Sequence, residues 1–231
     1  MRLPVWRLCI AALLLLTLHG KVFAQVNIPF ADTMSVPAGN AMSLGCTAFT
    51  VHGTFNIGSG QVTNTGDVGI GATGTINGGQ GLLSVSGNWN NAGTFNAGTG
   101  TVVFTNNCAA GPLTLTGATV FNNLTLTSTN GSTFVIPAGS NITVSGTLTL
   151  QGVNGQPIHL VSSSGQTAVI NLGPQSQVVS SYFDTNDVQI GATPQSIPTL
   201  SEYGLMVLGL LMALTAFWQA RRGAFKPTHK N

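Results

Sequence analysis

The sequence predicts an all-β body over residues 25–196, wound as a parallel β-helix or solenoid. Three observations carry this expectation. The pattern Gly-Thr-(Phe/Ile)-Asn-x-Gly-x-Gly begins at Gly53, Gly74 and Gly93, at nearly constant spacing. Between such glycines stand short runs that alternate apolar and polar residues, the period of a half-buried strand. No window from 25 to 196 has helical periodicity. A unit of about 20 residues cannot bury its own apolar face and must stack on copies of itself, as the turns of a β-helix do. A β-sandwich is the alternative, since it is also built of short strands spaced about 8–12 residues apart. Near-constant repeat spacing favours the coil.

The strands follow in order. Thr101–Phe104, Leu113–Thr116, Leu124–Thr127, Ile142–Val144, Leu148–Leu150 and Val169–Leu172 are alternating runs bounded by Gly or Asn. Stacked strands lie about 4.8 Å apart, so about eight rungs would build a rod about 40 Å long. Gly and Asn suit the corners, where positive φ is needed. In register, Asn56, Asn77 and Asn96 would form an amide ladder, and Phe55, Ile76 and Phe95 a core stripe. A second repeat, Val36-Pro-Ala-Gly-Asn and Ile136-Pro-Ala-Gly-Ser, is offset by the equivalent of about five such units.

Charge narrows the function. Only 5% of residues are charged, and every Lys and Arg is terminal: Arg2, Arg7 and Lys21, then Arg221, Arg222, Lys226 and Lys230. A body without a cation cannot neutralise phosphates, which excludes nucleic acid as a partner. Disorder goes with low hydrophobicity and high net charge, whereas here mean hydropathy is +0.33 and the body is expected to fold.

Both ends read as targeting segments. Residues 1–24 have the three parts of a signal peptide: Arg2 and Arg7, the apolar run Leu8–Leu18, and Val22-Phe23-Ala24 before a cleavage site at Ala24/Gln25. An uncleaved N-terminal anchor is the alternative, and Lys21 is an irregularity. At the other end Ile197-Pro198-Thr199-Leu200-Ser201-Glu202 precedes Tyr203, and the run from Tyr203 to Trp218 carries no charge. As a helix this run is about 24 Å long, short but sufficient for a thin membrane. Arg221 and Arg222 would stop translocation, placing the C-terminus in the cytoplasm and the body outside. The expected organisation is a signal peptide (1–24), the solenoid (25–196), a sorting segment (197–222) with a transmembrane helix at 203–220, and a cytoplasmic basic tail (223–231).

This tail resembles the IPTL-CTERM sorting domain of Gram-negative bacteria, related in plan to PEP-CTERM and LPXTG signals: a motif, a transmembrane helix and a basic stop. Tyr203 stands where the family usually has Trp. The resemblance implies recognition by a membrane-embedded sorting protease, which would read Ile197–Tyr203, and transfer to or across the envelope. Pro198 disfavours helix before it, so the motif is expected to be extended beside the membrane. A plain single-pass anchor is the alternative.

Within the body, Cys46 and Cys108 form an even pair in an exported chain, where disulfides are permitted. Their sequence separation amounts to about three rungs, about 14 Å along the axis. A bond needs Cα atoms within about 7 Å. Either Cys46 belongs to an N-terminal cap that folds back, or the pair stays reduced.

No catalytic set is legible. The body's carboxylates are Asp32, Asp67, Asp184 and Asp187, and Asp184 and Asp187, three apart in a strand-like stretch, would lie on opposite faces. His52 and His159 have no metal-ligand spacing, and Asp184–Asp187 reads as a polar turn rather than a calcium site. No cofactor, metal or enzymatic activity is expected. The sequence thus leads to a precursor in the inner membrane that becomes a cell-surface or extracellular structural, adhesin-like protein. Its hydroxyl-rich rungs also suit a module that binds an extracellular polysaccharide, and a β-helix enzyme acting on polysaccharide is the less favoured alternative.

Overall fold

A computed structural model describes residues 25–108, 111–163, 165–191 and 200–223. The chain divides into two units, Met1–Ala192 and Thr193–Asn231. The first is a parallel β-solenoid of about seven turns. An incomplete opening rung holds β1 (Gln25–Ile28) and β2 (Thr33–Ser35). The second rung is β3 (Ala41–Val51) and β4 (Thr54–Asn56), and the third β5 (Gln61–Ile70) and β6 (Thr75–Asn77). The fourth is β7 (Leu82–Val85), β8 (Trp89–Asn91) and β9 (Thr94–Asn96). The fifth is β10 (Thr101–Phe104) and β11 (Leu113–Phe121). The sixth comprises β12 (Asn123–Thr127), β13 (Thr133–Val135) and β14 (Asn141–Val144). The seventh comprises β15 (Thr147–Gln151), β16 (Ile158–Val161) and β17 (Ala168–Leu172). The last is β18 (Gln177–Ser181), β19 (Phe183–Asn186) and β20 (Val188–Ile190).

Every ladder joining these strands is parallel, and together they form three faces. Face 1 stacks the first half of β3, then β5, β7, β10, β12, β15 and β18. Face 2 stacks β1, the second halves of β3 and β5, β8, the first half of β11, β13, β16 and β19. Face 3 begins with β2, β4, β6 and β9 and ends with the second half of β11, β14, β17 and β20. The solenoid expectation therefore holds and the sandwich does not.

The repeat is in register as its spacing implied. Phe55 pairs with Ile76 and Ile76 with Phe95. Beside them Asn77 donates to Asn56 Oδ1 and Asn96 to Asn77 Oδ1, each at 2.8 Å. Asn56 continues the ladder to Ser35 Oγ at 3.2 Å. Face 1 gives the rung length directly, because Ala41, Gln61, Leu82, Thr101, Asn123, Thr147 and Gln177 occupy equivalent positions. The step between them stays close to the motif's own spacing as far as Asn123. It then lengthens to Thr147 and lengthens again to Gln177.

That lengthening corrects one expectation. The turns at Val36–Asn40 and Ile136–Ser140 share chemistry, since Asn40 N donates to Pro37 O and Ser140 N to Pro137 O, both at 3.0 Å. They are not a whole number of equivalent units apart: the first joins face 3 to face 1 and the second joins face 2 to face 3. A Pro-x-Gly turn is a local solution that serves any corner.

Inside, the alternating pattern puts one residue in two into a single dry core. Phe49, Phe55, Phe104, Phe121, Phe134 and Ile76 are 0% exposed. At mid-rod Trp89 packs edge-on against Phe95 and Phe104 at 5.2 and 6.1 Å, and lies 5.4 Å from Phe121. Burying one such side chain stabilises by about 1.5–3 kcal/mol. At the face 3–face 1 corner the turns stack backbone on backbone. Gly79 has φ +61°, and a Cβ there would lie 2.4 Å from Gly58 O, so glycine is required twice over.

Face 3 contains a seam. No ladder joins β9 to β11. Side chains replace it: Trp89 Nε1 and Asn91 Nδ2 donate to Thr119 Oγ1 at 3.0 and 3.1 Å, and Asn91 also donates to Ala118 O at 2.8 Å. A buried indole N–H and amide thus find the partners that burial demands.

The second unit contains helix α1 (Leu200–Gly223).

Candidate functional site

The cysteines meet at the corner between faces 1 and 2. There β3 turns inside one continuous strand, with Gly45 at φ +57°, Cys46 at φ +64° and a register shift between Ser43 and Thr47. Cys46 and Cys108 are disulfide-bonded, with Cα atoms 5.4 Å apart. Neither expected alternative applies. The offset of three rungs was sound, because Thr105 stacks on Ser86 (2.7 Å between hydroxyls) and Ser86 N donates to Thr65 O. Cys108, however, lies beyond Thr105 in the long connection between β10 and β11, and three residues can span up to about 10 Å, enough to bring it back towards Cys46.

Directly above that connection the same corner holds a polar cleft of about 230 Å³, lined by Asn106, Gly111, Pro112 and Asn130–Thr133. Its floor is an ordered network. Ser128 Oγ donates to Asn130 Oδ1 at 2.8 Å and accepts from Ser132 Oγ at 2.8 Å and from the Asn130 and Ser132 amides at 3.2 Å. Asn106 Nδ2 also donates to Asn130 Oδ1. Ser128 and Ser132 are buried.

From the cleft a polar row runs along face 2. Thr133 pairs with His159, and His159 with Asp184 on the next rung. His159 Nδ1 lies 2.8 Å from both carboxylate oxygens of Asp184. The two side chains are 40% and 56% exposed, so the pair contributes little to stability. Tyr182, 54% exposed, marks the corner beside the row. Its φ is +50°, a conformation that costs a bulky L-residue about 1–2 kcal/mol.

The remaining ionisable residues are dispersed. Asp67 Oδ1 accepts from Asn88 N at 2.7 Å and serves the next rung's backbone. On face 2 it lies five ladder steps from Asp184, about 24 Å. Asp187 lies past the end of β19 with φ +56°, so it and Asp184 are separated by a corner rather than facing opposite ways from one strand. His52 packs at a turn, its Nδ1 within 2.3 Å of where a Cβ on Gly71 would be. Among the described residues no three His, Cys, Asp or Glu side chains gather as metal ligands would.

At the two ends of the chain, Gln25 is the first residue of β1 and donates to Thr50 Oγ1 at 2.6 Å. Residues 1–24, including Ala24, and residues 192–199, including Ile197, Pro198 and Thr199, lie outside the described residues. Helix α1 begins at Leu200, so Leu200, Ser201, Glu202 and Tyr203 are helical; the expected extended conformation does not reach Glu202. The sequence supplies a reason: a proline disfavours helix only before itself, and none follows Pro198 before Pro227. Arg221 and Arg222 fall in the last turn of α1, which outlasts the expected 203–220 at both ends. From Met206 to Trp218 every residue is exposed, and most are large and apolar. Thr215 Oγ1 donates to Met212 O at 2.9 Å. Among the described residues, no helix is long and apolar enough to cross a membrane.

Sequence reasoning missed the cleft, the His159–Asp184 pair and Tyr182. His159 and Asp184 are distant in sequence and meet because the rung there has grown to nearly their separation; nothing local signals it. Comparison with curated proteins and with solved structures gave no match. Comparison with protein families gave one, over residues 195–222. That segment of the chain is an IPTL-CTERM motif.

Proposed function

We propose that this is a non-catalytic structural, adhesin-like protein of the cell envelope or exterior, delivered there by its C-terminal sorting signal. In this reading residues 1–24 direct export and are removed before Gln25. Helix α1 then holds the precursor in the inner membrane, with the solenoid on the periplasmic side and Arg221, Arg222 and the basic tail in the cytoplasm. A membrane-embedded sorting protease reads Ile197–Tyr203 and releases the body to the surface or medium.

The IPTL-CTERM motif at 195–222, following a folded β-body, carries the reading. Two further features support it. Tyr203–Trp218 is uncharged, and from Met206 to Trp218 α1 carries apolar residues on all sides apart from Thr215, as suits lipid rather than water. The Cys46–Cys108 bond suits an oxidising compartment.

Mass spectrometry of both mature termini after cell fractionation tests it. The expected N-terminus is Gln25, and the surface form lacks Arg221 and Arg222. Replacing Pro198 and Thr199 by alanine leaves full-length protein in the inner membrane; deleting residues 203–231 releases soluble body into the periplasm. Wild-type protein that keeps Arg221 and Arg222 throughout its life would make α1 a plain anchor.

A further inference from the structure

We propose that the face 1–face 2 corner, from the cleft at Asn106 and Asn130 to Tyr182, is a binding track for a neutral polysaccharide. This goes beyond delivery and does not depend on it.

The chemistry is specific to a hydroxylated ligand. Sugar hydroxyls both donate and accept, and the cleft offers both through the amides of Asn106 and Asn130 and the Thr133 hydroxyl. The row continues the supply. Asp184 engages His159 Nδ1, so the part-exposed imidazole has its other ring nitrogen to offer, beside a part-exposed carboxylate with spare lone pairs. Tyr182 adds an exposed ring, the platform on which a pyranose face packs. From Thr133 to Asp184 is two ladder steps, about 10 Å, and Asn106 lies one rung further, so the track suits several sugar units rather than one.

Charge selects the class. The body contains no Lys or Arg, and the track's formal anion is Asp184. An anionic polysaccharide would meet repulsion with no compensating cation; a neutral one would not. Among the described residues, the cleft walls carry no apolar side chain larger than Pro112, so these walls offer no anchor pocket of the kind a protein partner uses.

The cleft end of the track is also tied down before any ligand arrives. Buried Ser128 and Ser132 fix Asn130, and the disulfide two residues past Asn106 pins the opposite wall. Preorganisation of this kind lowers the cost of binding. Tyr182 keeps its exposed position in a conformation that Asn or Gly would adopt with less strain.

Full-length protein, purified in a sugar-free detergent, is tested on immobilised dextran, galactomannan and xyloglucan, with alginate as the anionic comparator. The expected result is retention by at least one neutral polysaccharide and none by alginate. Tyr182→Asn, which suits positive φ, weakens that retention about tenfold without lowering the melting temperature. Thr149→Ala, on the outer side of face 1, changes nothing. Failure of all three neutral polymers to bind, equal binding to alginate, or wild-type affinity in Tyr182→Asn would overturn the proposal and leave the sorting reading untouched.

Discussion

Removing the disulfide tests how far the long corner connection depends on its tether. Cys46→Ser, Cys108→Ser and the double variant each open a closed segment whose ends are 62 residues apart. The chain-entropy relation assigns a loop of that length about 4 kcal/mol of stabilisation, through constraint of the unfolded state. A domain of this size shifts by about 2–4 °C per kcal/mol, so the expected fall in melting temperature is about 8–16 °C. Both single variants and the double should fall equally, because each removes the same bond. Urea melts of the wild type with and without reductant give the same comparison without mutation. Native-state hydrogen exchange then follows the loss through the rungs enclosed between the two cysteines, from the second half of β3 to β10. A loss below about 1 kcal/mol, or unequal losses in the two single variants, would refute the reasoning.

Four further substitutions, at three positions, probe the stack. Gly79→Ala meets both a positive φ and Gly58 O at 2.4 Å, so it should cost more than about 2 kcal/mol in urea melts, whereas Gly139→Ala, with open space around it, should cost about 1 kcal/mol. Asn77→Ala removes the middle of the amide ladder and leaves Asn56 Oδ1 and Asn96 Nδ2 without their partners, for an expected loss of about 1–2 kcal/mol that Asn77→Gln should not restore.

The coil was legible because the first rungs are nearly equal in length. Phe55, Ile76 and Phe95 announce their register by spacing alone, and the structure places them on one stripe with the asparagines beside them. Legibility fades where rungs lengthen. Leu148 and Val178 are ladder partners at a separation well beyond the motif's, so no repeat search tuned to the motif would align them. The same growth hid His159 and Asp184 from each other and made Val36 and Ile136 look equivalent when they occupy different corners. The cysteines failed as an inference for another reason: a residue in an insertion need not sit at the height its sequence offset implies. At the tail, the family motif was plain from order and composition, but α1 starts at Leu200, since a proline disfavours helix only before itself and Pro198 leaves the residues after it free to be helical.

The disulfide has a mechanical consequence for a body loaded along its chain. Parallel solenoids yield under tension by peeling rungs from an end, each peeled residue adding about 3.3–3.6 Å of length. Residues between Cys46 and Cys108 cannot contribute, because the covalent bond carries the force past them. That withholds about 200–220 Å of contour length while the bond is intact. The face 3 seam, where ladder hydrogen bonds give way to Trp89, Asn91 and Thr119, involves the same rung as the connection that carries Cys108, on the opposite side of the coil. A pull from the C-terminal end would strip β20 back towards that seam and then stall at the bond. The protein would stretch in two stages, the second available only to a reductant or a protease.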